Sequence, residues 1–93
     1  MVAIIIKKEL LKDLNKALSY FTEDFRLTKN YDKQLELVNY LADLSWKYED
    51  ITINNIIYDV DIIFCEACED LNSCYFERAA YHLLTLKNTV NNG

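Results

Sequence analysis

Ile51-Thr52-Ile53-Asn54-Asn55-Ile56-Ile57-Tyr58-Asp59-Val60-Asp61-Ile62-Ile63-Phe64-Cys65-Glu66-Ala67-Cys68-Glu69-Asp70-Leu71 is the most apolar long stretch of this chain and also the most acidic. Two readings compete for it. Tyr58-Asp59-Val60-Asp61-Ile62 alternates in the manner of a half-buried strand. Over the longer window, Ile53, Ile57, Val60, Phe64, Ala67 and Leu71 recur every third or fourth residue, the spacing of one helical stripe. At about 100° per residue these six fall within roughly 80° of arc. The longer pattern predicts a helix over 52–71.

The other side of that helix would carry Tyr58, Asp59, Ile62, Glu66, Glu69 and Asp70. No lysine or arginine lies between Lys47 and Arg78. A solvated helix face ordinarily mixes the two signs of charge. Carboxylates beside a tyrosine and an isoleucine read instead as a contact surface, in which the aromatic supplies binding energy and the carboxylates steer a basic partner.

Composition sets the frame for the rest. The 93 residues include no proline, and the one glycine is the last residue, Gly93. Tight hairpins lean on glycine, whereas helices joined by Asn, Asp, Ser and Thr do not need it. The expectation is an all-α single domain over 1–93: a small antiparallel four-helix bundle with helices at about 4–25, 32–48, 52–71 and 73–90. In the first helix Leu10, Leu14, Leu18, Phe21 and Phe25 form the inner stripe, widened by Leu11 and Ala17. Residues 26–31 read as a loop, and Asp32 as the cap of the second helix. That helix would turn Leu35, Val38, Leu41, Ala42, Leu44, Ser45 and Tyr48 inward. In the last helix the inner residues are drawn from Phe76, Ala79, Ala80, Leu83, Leu84 and Leu86, and 91–93 is a frayed tail.

Charge narrows the classes of partner. The chain has a net charge of −5, with a balance of +2 over residues 1–33 and −7 over residues 34–93, where only three cations occur. Phosphates repel such a surface, so direct nucleic-acid binding is not expected. No segment has the length of a membrane span. The three cysteines follow no disulfide spacing and suit a reducing cytoplasm.

Two residue sets have the inventory of a chemical site. Cys65, Cys68, Cys74 and His82 would be a zinc complement. Both members of the first pair lie within one helix instead of a knuckle, so buried, reduced core thiols are the reading adopted and no metal or cofactor is expected. Arg78-Ala79-Ala80-Tyr81-His82 resembles the arginine–histidine motif of the HEPN nucleases, with a spacer of three residues, two of them alanine. That resemblance would imply ribonuclease chemistry at Arg78 and His82. No other residue set joins them, and the chain is read as a binding protein, not an enzyme.

In size, acidity and use of tyrosine, the chain is similar to the small helical bacteriocin immunity proteins and to phage-encoded inhibitors of bacterial defence. The likeness implies a cytoplasmic inhibitor that occludes a basic protein, for instance a nuclease or a nucleic-acid-binding protein. The alternative is a homodimer or larger homo-oligomer that sequesters a small molecule, with Tyr75, Arg78 and Tyr81 around the ligand. A zinc-stabilised helical domain is a weaker alternative.

Overall fold

The computed structural model describes the backbone of residues 2–48, 51–53, 56–58 and 60–92, and the side chains of 7–48 and 60–92. Among them the order is α1 (Val2–Leu18), α2 (Glu23–Thr28), α3 (Tyr31–Lys47), β1 (Ile51–Ile53), β2 (Ile56–Tyr58), α4 (Val60–Asn72) and α5 (Phe76–Asn92). The chain is an all-α bundle carrying one short hairpin. Val60, Phe64, Ala67 and Leu71 of α4 are fully buried and form its centre. α4 packs against both α3 and α5, and α1 closes the ring against α5 and, more lightly, α3.

Cross-helix contacts fix the directions. Tyr20 reaches Glu36 early in α3, while Asp13 reaches Tyr48 at its end. Gln34 donates to the Leu71 carbonyl, and Cys68 lies on the Val38 carbonyl. Asp70, late in α4, meets Arg78 and His82, early in α5. Each successive long helix therefore runs antiparallel to the last.

The first expected helix is two. Thr22 ends the frame of α1 by starting a new one: its hydroxyl accepts the Phe25 N–H at 3.1 Å, with Glu23 and Asp24 in the first turn of α2. Phe25 stays in the core, its ring edge-on to Phe76 at 5.0 Å. The stripe thus continues through a break in the backbone. Asn30, not Asp32, caps α3, accepting the Lys33 N–H at 3.2 Å; Asp32 lies in the first turn.

The larger difference falls on the stretch that opened the reading. Residues 51–53 and 56–58 are two paired antiparallel strands, Ile51 opposite Tyr58 and Ile53 opposite Ile56, and the helix begins only at Val60. Branched and aromatic side chains at Ile51, Thr52, Ile53, Ile56, Ile57 and Tyr58 favour extended backbone. The pairing leaves two residues, Asn54 and Asn55, between the strands, both outside the described residues.

At the other end of α4 the chain reverses through a left-handed residue. Cys74 has φ 61°, its N–H bonds to the Leu71 carbonyl and the Tyr75 N–H to the Asp70 carbonyl. This is the paired closure of a Schellman turn, in which glycine is the usual left-handed residue. α5 therefore starts at Phe76 instead of 73 and runs through Asn92, so Asn91 and Asn92 continue the helix.

Candidate partner-binding face

Of the six residues expected to form the contact surface, the side chains of four are described, and they divide between the outer side of α4 and its contact with α5. Tyr58 belongs to β2 and its side chain is outside the described set; Asp59 lies outside the described residues altogether. The helical spacing that aligned them with α4 does not extend before Val60. Ile62 is 49% exposed, and Glu66 and Glu69 lie beside it on the outer side of α4. Asp70 turns toward α5 and is largely buried.

Asp70 belongs to a cluster that ties α4 to α5. His82 Nε2 lies 3.2 Å from Asp70 Oδ2, and its Nδ1 3.8 Å from Glu66. Arg78 is 4.0 Å from the other Asp70 oxygen and stacks over the Tyr75 ring at 4.9 Å. Asp70 Oδ2 is buried without an aligned hydrogen-bond donor among the described residues. Arg78 and His82, the pair that resembles a nuclease motif, are thus both directed at one carboxylate.

The cysteines do not converge. Cys65 and Cys74 are exposed, and Cys68 is half-buried against the Val38 carbonyl at 3.6 Å. Burial raises the Cys68 thiol to about 11, with Cys65 and Glu69 adding to the effect. Among the described residues, no three His, Cys, Asp or Glu side chains are grouped to hold a metal ion. No described helix is long and apolar enough to cross a membrane.

α3 carries a second exposed surface that the sequence reading did not single out. Leu35 and Ala42, expected inside, are outside, while Leu37 and Gln34 are buried in their place. Trp46 is 81% exposed, Tyr31 70% and Leu35 45%. At about 100° per residue, Tyr31, Leu35, Ala42 and Trp46 fall within roughly 60° of one another, a continuous apolar stripe. Half-buried Val38, whose carbonyl meets Cys68, sets that stripe on the shoulder of α3 that faces α4.

Across the seam, the matching shoulder of α4 presents Asp61, Cys65 and Glu69, with Ile62 just beyond. The antiparallel register of Gln34 with Leu71 and Val38 with Cys68 brings Ala42 level with Cys65 and Trp46 level with Asp61. Asp32, Glu36 and Asp43 follow the outer edge of α3. Its cations, Lys33 and Lys47, lie toward α1, where Lys47 bonds Glu9 at 2.8 Å and Asp13 at 2.9 Å. The result is an apolar strip with carboxylates on both margins and no cation of its own among the described residues.

A signal for this face was present in the sequence. Trp46 and Tyr31 fit no position of the buried stripe, and together with Leu35 and Ala42 they make a second stripe on the same helix. No family model, curated protein or solved structure matches the chain.

Proposed function

We propose that the protein acts by binding, and that the α3–α4 face covers a basic site on a partner protein. The observation that carries this reading is the exposed indole of Trp46, in line with Tyr31 and Leu35, with carboxylates on both margins. Tryptophan and tyrosine supply most of the energy at the centres of protein interfaces. A stripe of this kind left in water is unusual unless something covers it.

The carboxylate margins suit a cationic partner because opposite potentials accelerate encounter and disfavour wrong partners. A nuclease or nucleic-acid-binding protein is a natural member of that class, since its phosphate-binding surface is basic. Occluding such a surface is what an immunity-type or anti-defence inhibitor does. The reading assigns no reaction to the chain and needs no cofactor. Its unpaired thiols, Cys65, Cys68 and Cys74, suit a reducing cytoplasm.

Self-association is the competing use of the same face. A two-fold dimer would set the margin carboxylates of one copy against those of the other, which opposes it. The test is capture on immobilised protein, with Trp46→Ala and Glu69→Lys as parallel baits and Lys12→Glu on α1 as control. A basic protein held by wild type and Lys12→Glu but released by both face variants supports the reading. Equal retention on every bait counts against this face.

A further inference from the structure

We propose that the groove between α2 and the α4–α5 turn binds a small anion carrying both a phosphate group and a planar ring, a mononucleotide being the simplest such molecule. The groove encloses about 600 Å³ and is lined by Arg26, Leu27 and Lys29 from the α2 end and by Cys74, Tyr75 and Arg78 from the turn and α5, among others. That volume suits a ligand of nucleotide size. A duplex would not enter it.

The charge of the lining is what sets the groove apart. The chain has only two arginines, and both line this one groove although 52 positions separate them. Lys29 makes a third cation against two carboxylates, Glu23 and Glu77, in a protein whose net charge is −5. A guanidinium presents paired N–H donors that match the oxygens of a phosphate.

These arginines are only loosely engaged. Arg26 stands 3.6 Å from Glu77, whose side chain is 86% exposed, and Arg78 stands 4.0 Å from Asp70. The Arg26–Glu77 pair is exposed and contributes little, so an entering phosphate displaces it at small cost, while the Arg78 side chain is itself mostly exposed beside the largely buried Asp70.

The apolar part of the lining accounts for the ring. Tyr75 is 54% exposed and Leu27 75% exposed. The Arg78 guanidinium already lies 4.9 Å from the centre of the Tyr75 ring. A phenol ring with an arginine stacked on it is a surface on which a base also stacks. The backbone beneath is fixed: Lys29 at φ 49° and Cys74 at φ 61° are the chain's two left-handed positions among the described residues, and each donates its N–H to the helix it ends. None of the groove's lining residues belongs to the stripe of α3 or the facing shoulder of α4, so the site does not rest on the partner reading.

Isothermal titration of the full chain with AMP, adenosine and inorganic pyrophosphate tests the site. The expected result is one AMP per chain, adenosine weaker by about tenfold or more, and affinity falling as salt rises. Arg26→Gln and Arg78→Gln should each weaken AMP by about tenfold. Tyr75→Ala should weaken AMP while leaving pyrophosphate unchanged. If Arg78→Gln unfolds through loss of its Asp70 contact, Arg26→Gln and Lys29→Gln, both at exposed positions, decide the matter. No AMP binding at roughly millimolar concentration, or binding unaltered in Arg26→Gln, overturns the proposal. AMP binding no tighter than pyrophosphate overturns the part of it that concerns the ring.

Discussion

Asp13 in the middle of α1 accepts the hydroxyl of Tyr48, the residue that closes α3, at 2.5 Å. The same carboxylate takes the Tyr40 hydroxyl at 3.2 Å and the Lys47 ammonium at 2.9 Å. This polar hub ties α1 to both the middle and the end of α3. Removing it by Asp13→Ala strands two partly buried hydroxyls and should cost about 1–3 kcal/mol, read as a lower denaturant midpoint at unchanged slope.

The hub also predicts how stability follows pH. Burial alone would raise the Asp13 carboxyl, but hydrogen bonds from Tyr48, Lys47 and Tyr40 hold it below its ordinary value. A carboxyl lowered on folding stabilises above its unfolded value, near 3.8, and loses that contribution as pH falls further. Burial, with the Asp13 charge and hydrogen bond, raises the Tyr40 hydroxyl to about 12. A hydroxyl raised on folding stabilises below its unfolded value, near 10, and loses that contribution as pH climbs toward 12. Burial and Asp13 raise Tyr48 in the same direction. Thermal melts should therefore fall off below pH ~4 and above pH ~10, and Asp13→Asn should flatten both limbs. An unaltered pH profile in that variant would mean the hub contributes nothing.

The turn at Cys74 gives a stabilising substitution. A side chain in the left-handed region costs roughly 1 kcal/mol relative to glycine, and nothing about the Schellman closure requires a thiol there. Cys74→Gly should raise stability by about 0.5–1 kcal/mol. A loss instead would show that the exposed thiol makes a contact worth more than the strain.

The turns at Lys29 and Cys74 also show why the sequence was partly legible. Leu10, Leu14, Phe64, Ala67, Leu71 and Leu83 repeat at helical spacing and are all fully buried, so the all-α bundle and most of its centre could be read directly. The missing glycine misled at two places. Lys29 and Cys74 take left-handed backbone without it. Ile53 and Ile57 are four apart and so satisfied a helical count, but the branched residues around them obey a strand's preference. The exposed stripe of α3 was overlooked for a related reason. A helix can carry two apolar stripes, and periodicity alone does not say which one the bundle buries. On α3 the stripe through Leu37, Leu41 and Leu44 won, leaving Leu35 and Trp46 outside.

Trp46 is the chain's one tryptophan, so its fluorescence reports on this face alone. The emission should be that of a solvated indole, quenched freely by iodide, and should shift to the blue when a partner covers it. Trp46→Ala should change stability by no more than about 0.5 kcal/mol, because the ring buries little. A shielded indole in the isolated protein, or a large loss of stability on truncation, would place Trp46 inside an assembly or the core.

The oligomeric state follows from the same charges. The apolar stripe favours self-association, and the carboxylates along both its margins oppose it. Those carboxylates are exposed and so are screened by salt over about 10 Å at 0.1 M. Light scattering over a concentration series should therefore find a monomer at low ionic strength. Raising the salt, or removing margin charge with Asp61→Asn and Glu69→Gln, should move the mass toward a dimer, and Leu35→Asp should abolish that dimer. A dimer already stable at low salt and insensitive to Leu35→Asp would mean the chain associates through another surface. The α3–α4 stripe would then remain free for the basic partner.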